Sequence, residues 1–532
     1  MDCTSTRLSY GETGYFTNIV SAYINGDEQL KQFYHHPPTF EGIAAAIQQR
    51  KEFPTNRKLL VEVLRSQYKA VSPSPAVEQS IDLLPDENTF AVTTAHQPAI
   101  FTGNLFFVYK ILHTIKLAEE LSKQFSGKKF VPVFYMGSED ADLDELGHIY
   151  MSGEKVAWQT QQTGAIGRMN TKGLDKVINR IEGELLVQPH GEELMKLIRE
   201  CYLNSPDIQT ATFKLIHSLF SEYGLIVFIP DNAEVKRAMI GVFEDELFNH
   251  RCNGVVSQAI ENLAQHFKVQ ANPREINLFY LKDNIRQRIE KKDNTWQVVE
   301  TGISFTKEEL MQELHQHPER FSPNVILRGL MQESLLPGIA FIGGGGELAY
   351  WLELKGVFKL YSVPYPVLVV RNSFLVITEK WKQRIERLRL SITDIFRSET
   401  DLLNELVKQQ SSRQLSLAEE ITHAENYYDR LKSVASQVDD SLTVHVAALQ
   451  TRAIKPLQEL EKKLLRAEKR KYEDAGRQLA AIKREFFPNG SLQERVDNFM
   501  PYYAKWGSNF IKAVYEHSPA LEQEFTILVV KE

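Results

Sequence analysis

Three cysteines in 532 residues, at positions 3, 201 and 252, are too few and too scattered for a disulfide framework or a C-x-x-C metal site. They read as reduced thiols of a cytoplasmic protein, and none sits where a nucleophile would be activated. Positive charge is in short supply as well: 62 Lys and Arg stand against 69 Asp and Glu, giving a net charge of −7. That balance argues against a nucleic-acid partner held by phosphate neutralisation. No apolar run reaches the roughly 18 residues that a membrane helix needs, so no membrane partner is expected. The first residues, M-D-C-T-S-T-R-L-S-Y, hold no basic stretch followed by an apolar one, so no secretory signal is read there. Also missing are G-x-x-x-x-G-K-[ST], G-x-S-x-G and H-E-x-x-H, which excludes the commonest phosphate loop, the nucleophile elbow and a zincin helix. No metal ligand set is proposed.

What is present is an α/β pattern. Residues 1–88 read mainly as helices, with Leu59, Leu60, Val63 and Leu64 at helical spacing and prolines 73, 75 and 85 ending the pattern. Short apolar runs follow at 91–94, 130–136, 224–230, 339–342 and 366–370, separated by long helical stretches. Such runs suit strands buried on both faces of a parallel sheet, hence a doubly wound core over 89–384. Within it, 270–305 reads as a small antiparallel insert. From Leu417 to Ala467 apolar residues alternate three and four apart, a heptad-like seam over about 50 residues. Asp439, Asp440 and Ser441 offer cap chemistry in its middle, so 385–486 is expected to hold two antiparallel helices. Residues 487–532 then return to the globular body, ending on the strand F-T-I-L-V-V.

Three segments carry candidate chemistry. In A-V-T-T-A-H-Q-P-A-I-F-T-G-N-L (91–105) a strand meets a tight turn and a helix expected to start near Asn104. Strand, turn and helix start present backbone N–H groups to an anion. His96, Gln97, Thr102, Gly103 and Asn104 are the candidate binding residues; the bland alternative is an ordinary βα turn. In S-E-D-A-D-L-D-E (138–145) five carboxylates follow a buried strand, where they can hold an amine or take up a proton. Glu139, Asp140, Asp142 and Asp144 are the catalytic candidates, against a solvated acidic loop. Asp142→Asn is expected to abolish turnover without unfolding the chain. The third segment, 324–351, sets Arg328, Gln332 and Glu333 on one helix face. It then places Gly343, Gly344, Gly345 and Gly346 ahead of Glu347, Tyr350 and Trp351. Arg328 suits a carboxylate clamp, and four glycines in a row permit close backbone approach to a ligand.

Together these segments resemble one family, the cysteine-adding ligases of bacillithiol biosynthesis. The resemblance rests on Gln97, Thr102 and Gly103 of Q-x-x-x-x-T-G, on E-D-x-D-L-D-E at 139–145, and on R-x-L-M-Q-E with A-F-I-x-G-x-G-E-x-x-Y-W at 328–351. It implies a Rossmann-like nucleotidyl-transferase-type core with connecting-peptide inserts, and an α-helical coiled coil that pairs two subunits. It implies a ligase forming a carbon–nitrogen (amide) bond between L-cysteine and the amine of glucosaminyl-malate. ATP or another nucleotide, with Mg²⁺, is the implied activator. In related nucleotide-binding enzymes the strand–helix turn carries H-x-G-H. Here Phe101, Thr102, Gly103 and Asn104 stand there, so the glycine remains and both histidines are replaced. The glycine run lacks the family's usual proline, which predicts a more mobile loop. A second reading stays open: a nucleotide-binding coiled-coil scaffold or sensor without turnover.

Overall fold

The computed structural model describes residues 1–410 and 415–531; residues 411–414 of the expected helical segment and the last residue of the C-terminal one lie outside that description. Five strands form a parallel sheet: β1 (Thr89–His96), β2 (Lys129–Met136), β3 (Ile226–Phe228), β4 (Gly338–Gly343) and β5 (Val367–Val370). Their spatial order is β3-β2-β1-β4-β5, with every neighbouring pair parallel. Each strand is an almost unbroken run of buried residues, because helices cover both faces. One helix, Phe106–Gln124, buries twelve side chains, among them Ile111, Leu112 and Leu121. The strand order reverses between β1 and β4, and ligands of such sheets bind at that crevice.

The N-terminal segment is mainly helical, as its sequence suggests, but it opens on a strand. Asp2–Ser9 is a strand, paired antiparallel with Glu524–Lys531, and Ser373–Thr378 completes this separate three-stranded sheet. D-C-T-S-T-R-L-S buries only Leu8, so its side chains carry no period; the backbone ladder with the chain's far end creates the strand. The terminal F-T-I-L-V-V run therefore joins this sheet and not the parallel one. The insert is a five-stranded antiparallel sheet, in which Phe321–Pro323 joins the hairpins of 278–305. Asp283 and Asp293 take positive φ values of 45° and 54° at its two turns.

The chain divides into two compact units, residues 1–376 with 491–531, and residues 377–490. In the second, helices Ala418–Val438 and Leu442–Lys469 run antiparallel, as the seam and its central caps predict. Gln450 donates to Asp429 Oδ1 at 3.3 Å and the Leu417 N–H to Glu461 at 3.0 Å, which fixes the register. No described helix is long and apolar enough to cross a membrane.

Candidate active site

A cavity of about 920 Å³ opens at the carboxyl ends of the parallel strands, where the order reverses. Its walls come from the segments after β1, β2, β4 and β5, together with the insert and the N-terminal region.

The turn after β1 reaches the cavity through His96, Gln97 and Asn104, while Thr102 and Gly103 are buried beneath it. Phe101, Thr102 and Gly103 have successive φ values of 50°, 67° and 62°. A side chain at 103 would lie 2.9 Å from the Ala99 Cβ, so glycine is required there. The strain is held from outside: Asn498 Nδ2 donates to the carbonyls of Phe101 at 2.9 Å and Gly103 at 2.6 Å. The backbone donors expected to meet an anion are mostly spent. Phe101 N–H bonds to the Tyr202 hydroxyl, Thr102 to Ala99 O, Gly103 to Ile100 O and Leu105 to Asp497 O. The helix also starts later than expected, at Phe106.

His96 Nδ1 lies 2.9 Å from the Gln97 carbonyl, so the neutral ring carries its proton there and leaves Nε2 as an acceptor. Burial, reinforced by the Lys110 charge, lowers its pKa to about 4. Buried His113 is lowered to about 4 for the same first reason. Their folded pKa values lie below the unfolded value of about 6.5, so the unfolded chain binds more protons in between. Stability should therefore fall as pH drops from about 6.5 towards 4. A His96→Asn variant should show a shallower decline of melting temperature across that window; an unchanged slope would show that His96 titrates normally.

The acidic loop is split by its surroundings. Asp140 lines the cavity, accepting from Gln97 Nε2 at 3.2 Å, Arg328 Nη2 at 3.4 Å and the Ala141 N–H at 2.8 Å. Burial opposes its ionisation, but Arg328, Arg286 and these hydrogen bonds prevail and lower its pKa to about 2. Glu145 lines the cavity at its exposed rim, where partial burial with the charges of Asp142 and Asp140 raises its pKa. The other three catalytic candidates are elsewhere. Glu139 is buried against Lys236 and accepts from the Ser322 hydroxyl, tying β2 to the insert. Asp142 is exposed and caps the short helix 143–146 by accepting from the Glu145 N–H at 3.0 Å. Asp144 is exposed.

The glycine run forms regular structure and not a loose loop. Gly343 ends β4, and Gly345 and Gly346 begin the helix Gly345–Leu352. None of the four has a positive φ; crowding accounts for Gly343 and Gly345, whereas a side chain at Gly346 would meet nothing within 4 Å. A side chain at 343 would meet the Phe341 ring at 2.9 Å, and one at 345 would meet Val20 at 2.8 Å. Gly344, Gly345, Gly346, Glu347 and Tyr350 line the cavity. Trp351 points away from it, stacked on Phe341 at 4.4 Å. Gln332 and Glu333 are buried behind the wall that Arg328 occupies. Gln332 donates to Glu333, whose carboxylate pairs with Arg50 at 2.7 Å.

Several groups in or directly behind the cavity wall were invisible to sequence reading. Lys110 lies one turn into a helix read only for its apolar face; buried, it bonds Ala95 O and Glu347, both at 2.6 Å. Arg371 follows β5 and is gripped by buried Glu494 at 2.7 Å, from the segment that returns after the helical unit. Arg495 and Arg286 complete the cationic lining. A lysine interrupting an otherwise buried helix stripe, and an arginine directly after a buried strand, are the only signals the sequence offers. Among the described residues no group of three His, Cys, Asp or Glu side chains is placed to hold a metal ion.

A parallel sheet of order 3-2-1-4-5 with its cavity at the reversal defines a Rossmann-like α/β protein. Residues 1–372 match the family model "Bacillithiol biosynthesis BshC, N-terminal Rossmann-like domain", and 374–530 match the corresponding "C-terminal coiled-coil domain". The chain belongs to the BshC family of bacillithiol biosynthesis. Relatives named "Putative cysteine ligase BshC" include that of Flavobacterium johnsoniae, 38% identical across 98% of this chain and 99% of the relative. That of Christiangramia forsetii is 37% identical across 98% of both chains, and that of Staphylococcus haemolyticus 26% across 100% of both.

Proposed function

We propose that this protein is a cysteine ligase that joins the carboxyl group of L-cysteine to the free amine of glucosaminyl-malate. The carrying observation is that Asp140, Glu145, Arg328 and the N-terminus of the Gly345–Leu352 helix meet in one cavity at the strand-order reversal. The names borne by full-length relatives point to the same chemistry.

Attack on a carboxyl group needs a neutral amine and an activated acid. Glu145 is the group suited to take the ammonium proton, because burial and its acidic neighbours raise its affinity for one. Asp140 stays ionised and holds Arg328 at the acceptor. Opposite pKa shifts in one loop divide the two roles. Neutral His96, with Nε2 free to accept, is a further polar contact for substrate. The cavity's other end suits the phosphates of ATP or another nucleotide. Gly345 and Gly346 offer first-turn N–H groups without intrahelical partners, beside Arg371 and Arg495. Bound there with Mg²⁺, a nucleotide would supply activation of the carboxyl group. Lys110 holds Glu347 against Ala95 O, fixing the glycine run relative to β1.

We further propose a homodimer through the helical hairpin, working in the cytoplasm. Tyr427, Val434, Val438, Val444 and Leu460 remain exposed on it, at 46% or more. Three unpaired thiols suit a reducing compartment.

Absence of both H-x-G-H histidines favours the second reading, a nucleotide-binding scaffold without turnover. Mass detection of cysteinyl-glucosaminyl-malate, with each nucleotide supplied in turn, decides between them. Product dependent on one nucleotide is expected; nucleotide binding with no product under any condition leaves the scaffold.

A further inference from the structure

Arg286 is a buried cation in the cavity wall without a hydrogen-bonding acceptor. It stands on the insert strand Ile285–Lys292, just after the turn at Asp283, so it reaches the cavity from outside the parallel sheet. Its side chain is 7% exposed. The guanidinium lies over the Phe279 ring, 4.0 Å from the centroid, which fixes its plane and leaves its edge free. Among the described residues nothing accepts a hydrogen bond from it. Asp140 Oδ1 is 3.8 Å from Nη1, and Nε has no partner. A buried guanidinium left so is costly, and its planar fork is shaped to take both oxygens of a carboxylate. Arg328 lines the same end and makes one long contact, 3.4 Å, to the same Asp140. Two guanidinium groups thus share one carboxylate, leaving positive charge and unspent donors.

This end is distinct from the Arg371 end. Asp140 follows β2 and Arg371 follows β5, with β1 and β4 between them. Three inter-strand spacings separate them by about 14 Å. One ligand's phosphates and another's carboxylates can therefore be held at once.

We propose that Arg286 and Arg328 form a subsite for the two carboxylates of a four-carbon dicarboxylic acid. Arg286 is the residue by which the insert selects an acceptor bearing that acid. The acceptor's identity rests on the ligase reading; the anion subsite rests on the geometry alone.

Calorimetric titration of the full-length protein with L-malate, and separately with inorganic phosphate, tests this in wild type, Arg286→Gln and Arg286→Lys. L-Malate affinity should fall roughly 10- to 100-fold in Arg286→Gln, the worth of one charge-assisted pair. Lysine should restore only part of it, lacking the fork, and phosphate affinity should not change. Equal L-malate affinity in wild type and Arg286→Gln, or none in wild type, overturns the subsite. A loss confined to phosphate assigns Arg286 to a phosphate and overturns it too. If Arg286→Gln is unfolded by circular dichroism, the charge-retaining Arg286→Lys decides: L-malate affinity equal to wild type overturns the proposal. Assay of amide formation separates the two readings. Arg286-dependent L-malate binding without product in wild type sinks the ligase reading alone. Product with an unchanged KM for glucosaminyl-malate in the variants sinks the subsite alone.

Discussion

Replacing Asp140 with asparagine is expected to lower kcat/KM for amide formation by at least about 100-fold, the cost of misplacing reacting groups by roughly an ångström. The isosteric amide keeps the shape but removes the charge between Arg328 and Arg286, at 3.4 and 3.8 Å. Buried Arg286 and half-buried Arg328 would then face each other without the carboxylate between them. The loss should appear in KM for the acceptor as well as in kcat, because both arginines turn towards it. Glu145→Gln should behave differently, lowering kcat with little change in KM, since it removes a proton acceptor and leaves the arginines in place. Asp142→Asn is the control. Read from sequence alone, Asp142 was a catalytic candidate; folded, it is an exposed helix cap, and asparagine caps as well as aspartate. Near-normal activity in Asp140→Asn, or a severe loss in Asp142→Asn with the protein still folded, would overturn this assignment.

The second large effect concerns stability. Glu333→Ala should cost about 3–5 kcal/mol, the usual penalty for leaving one partner of a buried ion pair alone. The side chains of Arg50 and Glu333 are 1% and 0% exposed. Burial raises the Glu333 pKa and lowers that of Arg50 to about 10, and each partner's charge offsets part of the other's penalty. Arg50 also donates to Gly338 O at 2.8 Å, Glu333 O at 2.8 Å and Pro364 O at 3.3 Å, pinning β4 and its preceding helix to the N-terminal region. Gly338 belongs to the same device, because a side chain there would lie 2.3 Å from a Glu333 oxygen. An unfolding free energy within about 1 kcal/mol of wild type in a denaturant titration would show that Glu333 is not the anchor of that wall. Any folded Glu333→Ala protein should bind substrate normally, since Glu333 does not line the cavity.

The five parallel strands were legible because strands buried on both faces are written as uninterrupted apolar runs. The helical hairpin was legible because a seam repeats. The three candidate segments were found for a related reason: the turn at 97–104, the acidic loop and the glycine run each follow a buried strand, and the carboxyl ends of such strands converge. That logic names a loop but does not choose among its side chains. Glu139 and Asp140 are adjacent, yet one turns inward to Lys236 and the other faces the cavity.

Sequence by itself thus determined the family, the parallel core, the helical hairpin and the neighbourhood of the site. These are properties of local pattern and motif order, which persist without knowledge of any distant contact. Tertiary structure decided which carboxylates reach the cavity, that Arg286 and Arg495 reach it from far along the chain, and that Asn498 and Glu494 brace its walls from behind. It also decided that the glycine run is a strand end and a helix start, in which Gly343 and Gly345 make room for Phe341 and Val20. Those outcomes depend on pairings across hundreds of residues, such as Asn498 with Phe101 and Arg371 with Glu494, and on the pKa shifts that burial produces. No local window of sequence contains them.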